Sequence, residues 1–331
     1  MESQKLLHHF TMNSKYTIGF LVPQWTEVYD LINTYCKSFQ SVIIPDRLEN
    51  SPKPIEEIDI LIMFSGSLQK HHINKMKKLR FVQALTAGYD TIDVTYLQKK
   101  SIPLADNNGT NTNAVAEHTI SLILVLMRNL FVLQKSCKEG KWQGPPPNIA
   151  DLHEIKGKKI GIVGLGRIGK LVAQKITSFD VSLQYYDIGR YHAFESKYNI
   201  SYVSFPELLR TSDVITTHVP LTHETHHIMS TNTFALMKPS AYVVNTSRGG
   251  VVDTQALLHV VRNKMIAGAA LDVFEQEPLP EKMIAELDNE NIILTPHRAG
   301  SSIENWHGRI QFALENVVRY ISGKTPISLV Q

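Results

Sequence analysis

Runs of β-branched and other apolar residues alternate with amphipathic stretches along nearly the whole chain. In the first hundred residues, runs at Thr17–Val22, Ser41–Ile44, Ile58–Phe64, Phe81–Leu85 and Ile102–Ala105 predict strands. The stretches at Thr26–Phe39 and Leu68–Leu79 predict helices between them. A long helix is predicted from Asn113 to Cys137. The segment Gly140–Ala150 breaks the pattern with three consecutive prolines and reads as a loop. Further strands are predicted at Val214–His218, Ala241–Asn245, Ile266–Leu271 and Ile292–Thr295. A final helix, Ser302–Ser322, stops at Gly323. Such alternation predicts an α/β chain with parallel sheets. Residues 1–14 read as a poorly ordered tail.

One turn in this pattern carries chemistry. The strand that ends at Val163 is followed by Gly164, Gly166 and Gly169 in G-x-G-x-x-G spacing, and then by a helical pattern. In such a turn the first glycine permits the tight bend, the second lets a pyrophosphate approach the backbone, and the third lets the helix pack close. The N–H groups at the helix start then favour phosphate. A second strand, VSLQYYD, ends at Asp187, eighteen residues past Gly169. A carboxylate there accepts hydrogen bonds from a ribose diol and repels a 2′-phosphate, which favours NAD over NADP. Arg190, three residues on, would soften that preference. The βα turns of the first half lack this glycine pattern.

Length and composition narrow the classes. At 331 residues the chain is expected to form two domains. A net charge of +3, spread without a long basic block, gives no reason to expect nucleic acid. Two cysteines, Cys36 and Cys137, fit a reducing cytoplasm better than a disulfide framework. The first residues lack an apolar signal core, and the run Ile120–Met127 is too short to span a bilayer. His226 and His227 lack a converging ligand set, so no metal is expected.

Arg248, Glu277 and His297 each stand just past a predicted strand of the second half, in NTSRGG, FEQEPLP and TPHRAG. Ligands bind at the carboxyl ends of strands in open α/β sheets, so three loops can converge there. A guanidinium matches a carboxylate's two oxygens. A histidine passes a proton near neutral pH, and a carboxylate on its other nitrogen fixes the tautomer. Taken singly, each has an ordinary explanation as a surface charge. Together with a nicotinamide they define hydride transfer coupled to proton transfer at a carbonyl beside a carboxylate.

The ordered landmarks GLGRIG, YYD, HVPLT, NTSRGG, LDVFEQEPLP and TPH resemble the D-isomer-specific 2-hydroxyacid dehydrogenases, over about Leu61 to Gly323. The resemblance implies a Rossmann dinucleotide-binding domain (112–299) inserted into a flavodoxin-like substrate domain (1–111 and 300–331). It implies a homodimer, and NAD-dependent interconversion of a small 2-keto acid and its D-2-hydroxy acid. His297 becomes the acid/base, Glu277 its partner and Arg248 the clamp on the substrate. Ala87 and Gly88 in LTAGYD would hold the substrate carboxylate through their N–H groups, with Asn111 turned toward the substrate. Arg167 and Ile168 would donate to the pyrophosphate. His218, Val219, Pro220, Thr225 and Thr246 would line the nucleotide, with Asp272 near the nicotinamide.

Other outcomes stay open. Formate or phosphite oxidation would keep the fold. The first pairs a glutamine with the histidine where this chain has Glu277. The second places a lysine in the loop Leu85–Gly88, where this chain has none, and both absences count against them. An NAD(H)-sensing, corepressor-like binding module would keep the fold without turnover. Asp180 stands where many relatives have glycine, and Arg298 where an apolar residue is common. His118 is expected to be structural. Trp306 is expected either in the core or at the substrate pocket.

Overall fold

Short apolar strands with no exposed side suit parallel sheets covered by helices on both faces, and two such sheets form. The computed structural model of the chain describes residues 16–142, 149–289 and 291–330. Two compact units divide them: the chain up to Asn111 together with the segment from Ser301, and Thr112–Gly300. The expected tail at 1–14 lies outside the described residues, as does 143–148 of the expected proline loop.

In the first unit, β1 (Thr17–Val22), β2 (Gln40–Pro45), β3 (Ile60–Met63), β4 (Phe81–Ala84) and β5 (Leu104–Ala105) form one parallel sheet in the order β2-β1-β3-β4-β5. Helices α1 (Thr26–Tyr35), α2 (Lys70–Lys75) and α3 (Val94–Lys99) connect them. One face of the sheet packs Ile18, Phe20 and Ile62 against Ile310, Ala313, Leu314 and Val317 of the last helix, Ile303–Ile321. That helix starts where the Ser302 hydroxyl caps the Asn305 N–H, and it ends before Gly323 at φ +72°.

The second unit holds α4 (Thr112–Met127), α5 (Leu130–Lys138) and a seven-stranded parallel sheet. Its strands are β6 (Lys159–Val163), β7 (Ser182–Tyr186), β8 (Ile200–Tyr202), β9 (Val214–Thr217), β10 (Tyr242–Asn245), β11 (Gly268–Leu271) and β12 (Ile292–Leu294). Their order is β12-β11-β10-β9-β6-β7-β8. Connection direction therefore reverses between β6 and β9, whose last residues Val163 and Thr217 are paired. Such a reversal opens a crevice at the strands' carboxyl ends, as in Rossmann sheets. Alternate residues feed two cores: Tyr242 and Val244 pack with Ile120 and Ile123 of α4, while Val243 packs with Leu257 and Val260 of the helix Thr254–Arg262.

The single long helix expected over Asn113–Cys137 is two helices bent by 62°. Asn129 between them takes φ +47°, a left-handed conformation that asparagine tolerates and that ends a right-handed helix. The apolar periodicity continues across the bend, which is why the pattern alone hides it. Asp180, where the resemblance leads to an expected glycine, also adopts φ +57°. Strand β8 was not among the expected elements; Ser201 and Tyr202 are exposed, which dilutes its apolar signal. No single helix among the described residues is long and apolar enough to cross a membrane.

Candidate active site

The glycine turn leaves β6 in a conformation only glycine takes easily. Gly164 sits at φ +93°, and a Cβ there would come within 2.8 Å of the His218 carbonyl oxygen and of Val219 Cγ1. His218 and Val219, which follow β9, are thus brought against the turn. A Cβ on Gly169 would overlap the Gly164 carbonyl oxygen, so the helix Arg167–Ile176 packs directly on the turn. At Gly166 the same construction meets nothing within 4 Å. The helix has no side-chain cap, and Gly166 and Arg167 are exposed while Ile168 is half-buried. An open space over uncapped N–H groups fits a pyrophosphate.

Asp187 reaches back to this turn. Its Oδ2 accepts from the Leu165 N–H at 2.6 Å and its Oδ1 from the Gly189 N–H at 3.3 Å. Arg190 is committed elsewhere: its Nε and Nη2 donate to Glu195 at 3.1–3.2 Å, and its guanidinium lies over the Tyr202 ring. Arg190, and then the Tyr185 hydroxyl, hold the Glu195 carboxyl down at about 2. His218 shares a 3.0 Å hydrogen bond with Thr216 Oγ1 while its Nδ1 is buried without a hydrogen-bond partner among the described residues. Burial pushes its pKa down to about 3, so this ring is neutral near pH 7.

Not every expected nucleotide residue offers a free polar group. The Thr246 hydroxyl is buried against Thr119 Oγ1 of α4 at 2.9 Å. Thr225 donates to the Pro220 carbonyl at 2.6 Å and accepts from the Thr222 N–H, so it shapes its own turn while Pro220 is exposed.

The three ionisable residues leave consecutive strands of the sheet. Arg248 follows β10, Glu277 follows β11 and His297 follows β12. Glu277 Oε2 lies 2.6 Å from His297 Nδ1, and Glu277 Oε1 accepts from the Phe274 N–H at 2.9 Å. Burial pushes the Glu277 carboxyl up, but the His297 and Phe274 hydrogen bonds, with the charges of His297 and Arg248, outweigh it. The carboxyl is held below the usual carboxylate range. Arg248 Nη1 donates to the Ser247 carbonyl at 2.8 Å. A Cβ on the next residue, Gly249, would overlap the Phe274 backbone, so the arginine loop lies directly on the segment leading to Glu277.

Two residues unremarked in the sequence hold these loops. Asn245, fully buried, donates from Nδ2 to the Arg248 carbonyl and accepts at Oδ1 from Thr217 and Ser247. Thr295 donates to Asp272 Oδ1 at 2.6 Å. Their only signal was a polar residue at a buried strand's end. Asp272, expected beside the nicotinamide, is fully buried, and its oxygens also accept from the Arg298 and Ala299 N–H groups at 2.8 Å. Its carboxylate holds the histidine loop. His297 itself stands at φ +53°, its N–H shared between the Asp272 and Thr295 carbonyls.

Of the residues expected to hold substrate, Ala87 and Gly88 lie in the turn after β4, where Thr86 Oγ1 donates to the Gly88 carbonyl. Asn111 Oδ1 is buried without a hydrogen-bond partner among the described residues. Trp306 is in the core: 5% exposed, it packs on Phe64 and Trp25 at centroid distances of 4.7 and 5.8 Å.

Glu49, His71 and His72 form one group of metal-compatible side chains among the described residues. His72 Nδ1 accepts from the Gln69 N–H, which leaves the proton on Nε2, donated to Glu49 at 2.9 Å. A metal on Nε2 would force a proton onto Nδ1 and break the first bond. The group is better suited to its hydrogen bonds than to an ion.

Residues 120–299 match the family model of the D-isomer specific 2-hydroxyacid dehydrogenase, NAD binding domain. A glyoxylate reductase from Thermofilum pendens is 37% identical over 86% of this chain and 85% of its own length. Among solved structures, a D-lactate dehydrogenase from Aquifex aeolicus complexed with NAD and lactic acid has a TM-score of 0.81 at 28% identity. The match covers 93% of this chain and 96% of that one. A D-lactate dehydrogenase from Treponema pallidum has a TM-score of 0.82 at 26% identity, covering 96% and 99%. The chain belongs to the D-isomer-specific 2-hydroxyacid dehydrogenase family, and is an NAD-dependent oxidoreductase of that class.

Proposed function

We propose that the protein reduces small 2-keto acids, glyoxylate first among them, with NADH, and runs reversibly to the D-2-hydroxy acid. The observation that carries this is the 2.6 Å Glu277–His297 pair within the field of Arg248. Bound nicotinamide would supply the hydride. His297, its Nδ1 proton held by the Glu277 carboxylate, gives the Nε2 proton to the carbonyl oxygen. Arg248 stabilises the charge that develops on that oxygen and binds the adjacent carboxylate. The same reading gives Asn111 and the Ala87 and Gly88 N–H groups of the first unit substrate-binding roles. Residues 112–299 bind the nucleotide, and 1–111 with 300–331 bind the substrate.

NAD is used in preference to NADP, because Asp187 disfavours a 2′-phosphate and Glu195 occupies Arg190. The active form is a homodimer. Leu130, Phe131 and Leu133 on α5 are 46%, 54% and 38% exposed, an apolar face that a second copy would cover. Two free cysteines, Cys36 and Cys137, support a cytoplasmic setting. The test is an initial-rate screen of 2-keto acids with NADH and NADPH side by side, with sedimentation of the same preparation. Reduction of glyoxylate with NADH by a dimer is expected.

A further inference from the structure

Thr295 has one hydroxyl proton and two polar neighbours: Asp272 Oδ1 at 2.6 Å and His118 Nε2 at 3.1 Å. The Asp272 carboxylate already receives the N–H groups of Arg298 and Ala299, and an ionised carboxylate only accepts. The Thr295 proton therefore goes to Asp272. The Thr295 oxygen is left to accept, so His118 must carry its proton on Nε2 and donate it. The directions of the whole chain follow: His118 to Thr295 to Asp272. His118 Nε2 also lies 3.7 Å from Asp272 Oδ1.

The far end of this chain holds the loop that carries the proton-transfer residue. The Asp272 side chain fixes residues 298 and 299, and its carbonyl accepts the His297 N–H at 2.8 Å. His297 is held at a positive φ, which a non-glycine residue keeps only when its surroundings over-determine it. His118 belongs to a different element, α4, and is half-buried at the edge of that helix's apolar face.

We propose that His118 is a positioning residue for the reaction: by donating to the Thr295 hydroxyl, it fixes the loop that presents His297 to Glu277. This rests on the reading of His297 as the acid/base, and it replaces the structural role the sequence suggested for His118.

The test uses His118→Phe, His118→Gln, Thr295→Val and Thr295→Ser in the full chain. Steady-state kinetics are run with NADH and the 2-keto acid the wild type reduces fastest, alongside NADH binding by fluorescence. His118→Phe and Thr295→Val each lower kcat about tenfold, as small misplacements of a reacting group do. NADH affinity stays within about twofold. His118→Gln and Thr295→Ser, which keep a donor and a hydroxyl, recover most of the loss. The double variant His118→Phe/Thr295→Val is no slower than either single variant, because both cut one chain. Should His118→Phe fail to fold, the Thr295 pair and His118→Gln carry the comparison.

Wild-type kcat in His118→Phe, or a loss that glutamine does not rescue and that adds to that of Thr295→Val, overturns the proposal. A fully active His297→Ala overturns the acid/base reading instead, so the two failures are distinguishable.

Discussion

Glu277→Gln isolates the charge of the His297 partner while keeping an oxygen for Nδ1–H. The pair is 2.6 Å apart, with 52% of the histidine and 35% of the glutamate side chain exposed. At that exposure the effective dielectric is nearer to water than to a protein interior. Two unit charges about 4 Å apart then interact by ~1–2 kcal/mol. At ~1.4 kcal/mol per tenfold, removing that charge slows the proton-transfer step by roughly tenfold. Reduction draws a proton from His297, so kcat/KM for the keto acid falls in the variant. The loss stays within about tenfold, because the amide oxygen still orients the ring. The assay is NADH oxidation from about pH 5 to about pH 9, across the histidine range.

The pH dependence of the pair comes through Glu277. The carboxyl of Glu277 is held below its ordinary value, so the pair is complete above the usual carboxylate range. Its stabilisation is lost only as pH falls through that lowered value, and Glu277→Gln removes this loss. A folded variant whose kcat/KM for the keto acid equals that of the wild type would refute the electrostatic role of Glu277.

Other substitutions probe the supporting parts. Asp272→Asn places an amide where N–H and O–H donors converge on a fully buried carboxylate. It should destabilise the loop by about 2–4 kcal/mol, seen as a lower denaturant midpoint and a fall in kcat; an unchanged midpoint would contradict the hydrogen-bond assignment. Glu195→Gln should free the Arg190 guanidinium, which now shares its hydrogen bonds with that carboxylate. The expected result is an increase of about tenfold or less in kcat/KM for NADPH relative to NADH, the gain from an exposed charge. No change in the ratio would leave Asp187 alone in setting it.

Much of the architecture was legible because the central strands of both sheets are buried on both faces, so they read as apolar runs. Thr17–Val22 was placed at its observed limits, and most other strands within a residue or two. The bend at Asn129 was not legible, since one left-handed residue leaves the apolar spacing intact. At the candidate site, Arg248, Glu277 and His297 stood out by chemistry and by position after strands. Thr295, Asn245 and His118 did not. Their contribution is a hydrogen bond between segments far apart in the chain, such as His118 to Thr295. Asp272 was singled out by resemblance, but the partners of its carboxylate became evident only once the loop after β12 was seen folded over it.

The central claim is tested most directly by turnover of wild type and His297→Ala with glyoxylate and NADH, alongside NADH binding to each. Wild type should oxidise NADH in proportion to glyoxylate consumed. His297→Ala should bind NADH normally yet turn over at least about a hundredfold more slowly, the size of a lost proton donor. Tight NADH binding by wild type with no turnover of any 2-keto acid would mark a nucleotide sensor and contradict the account. So would a His297→Ala enzyme as fast as wild type.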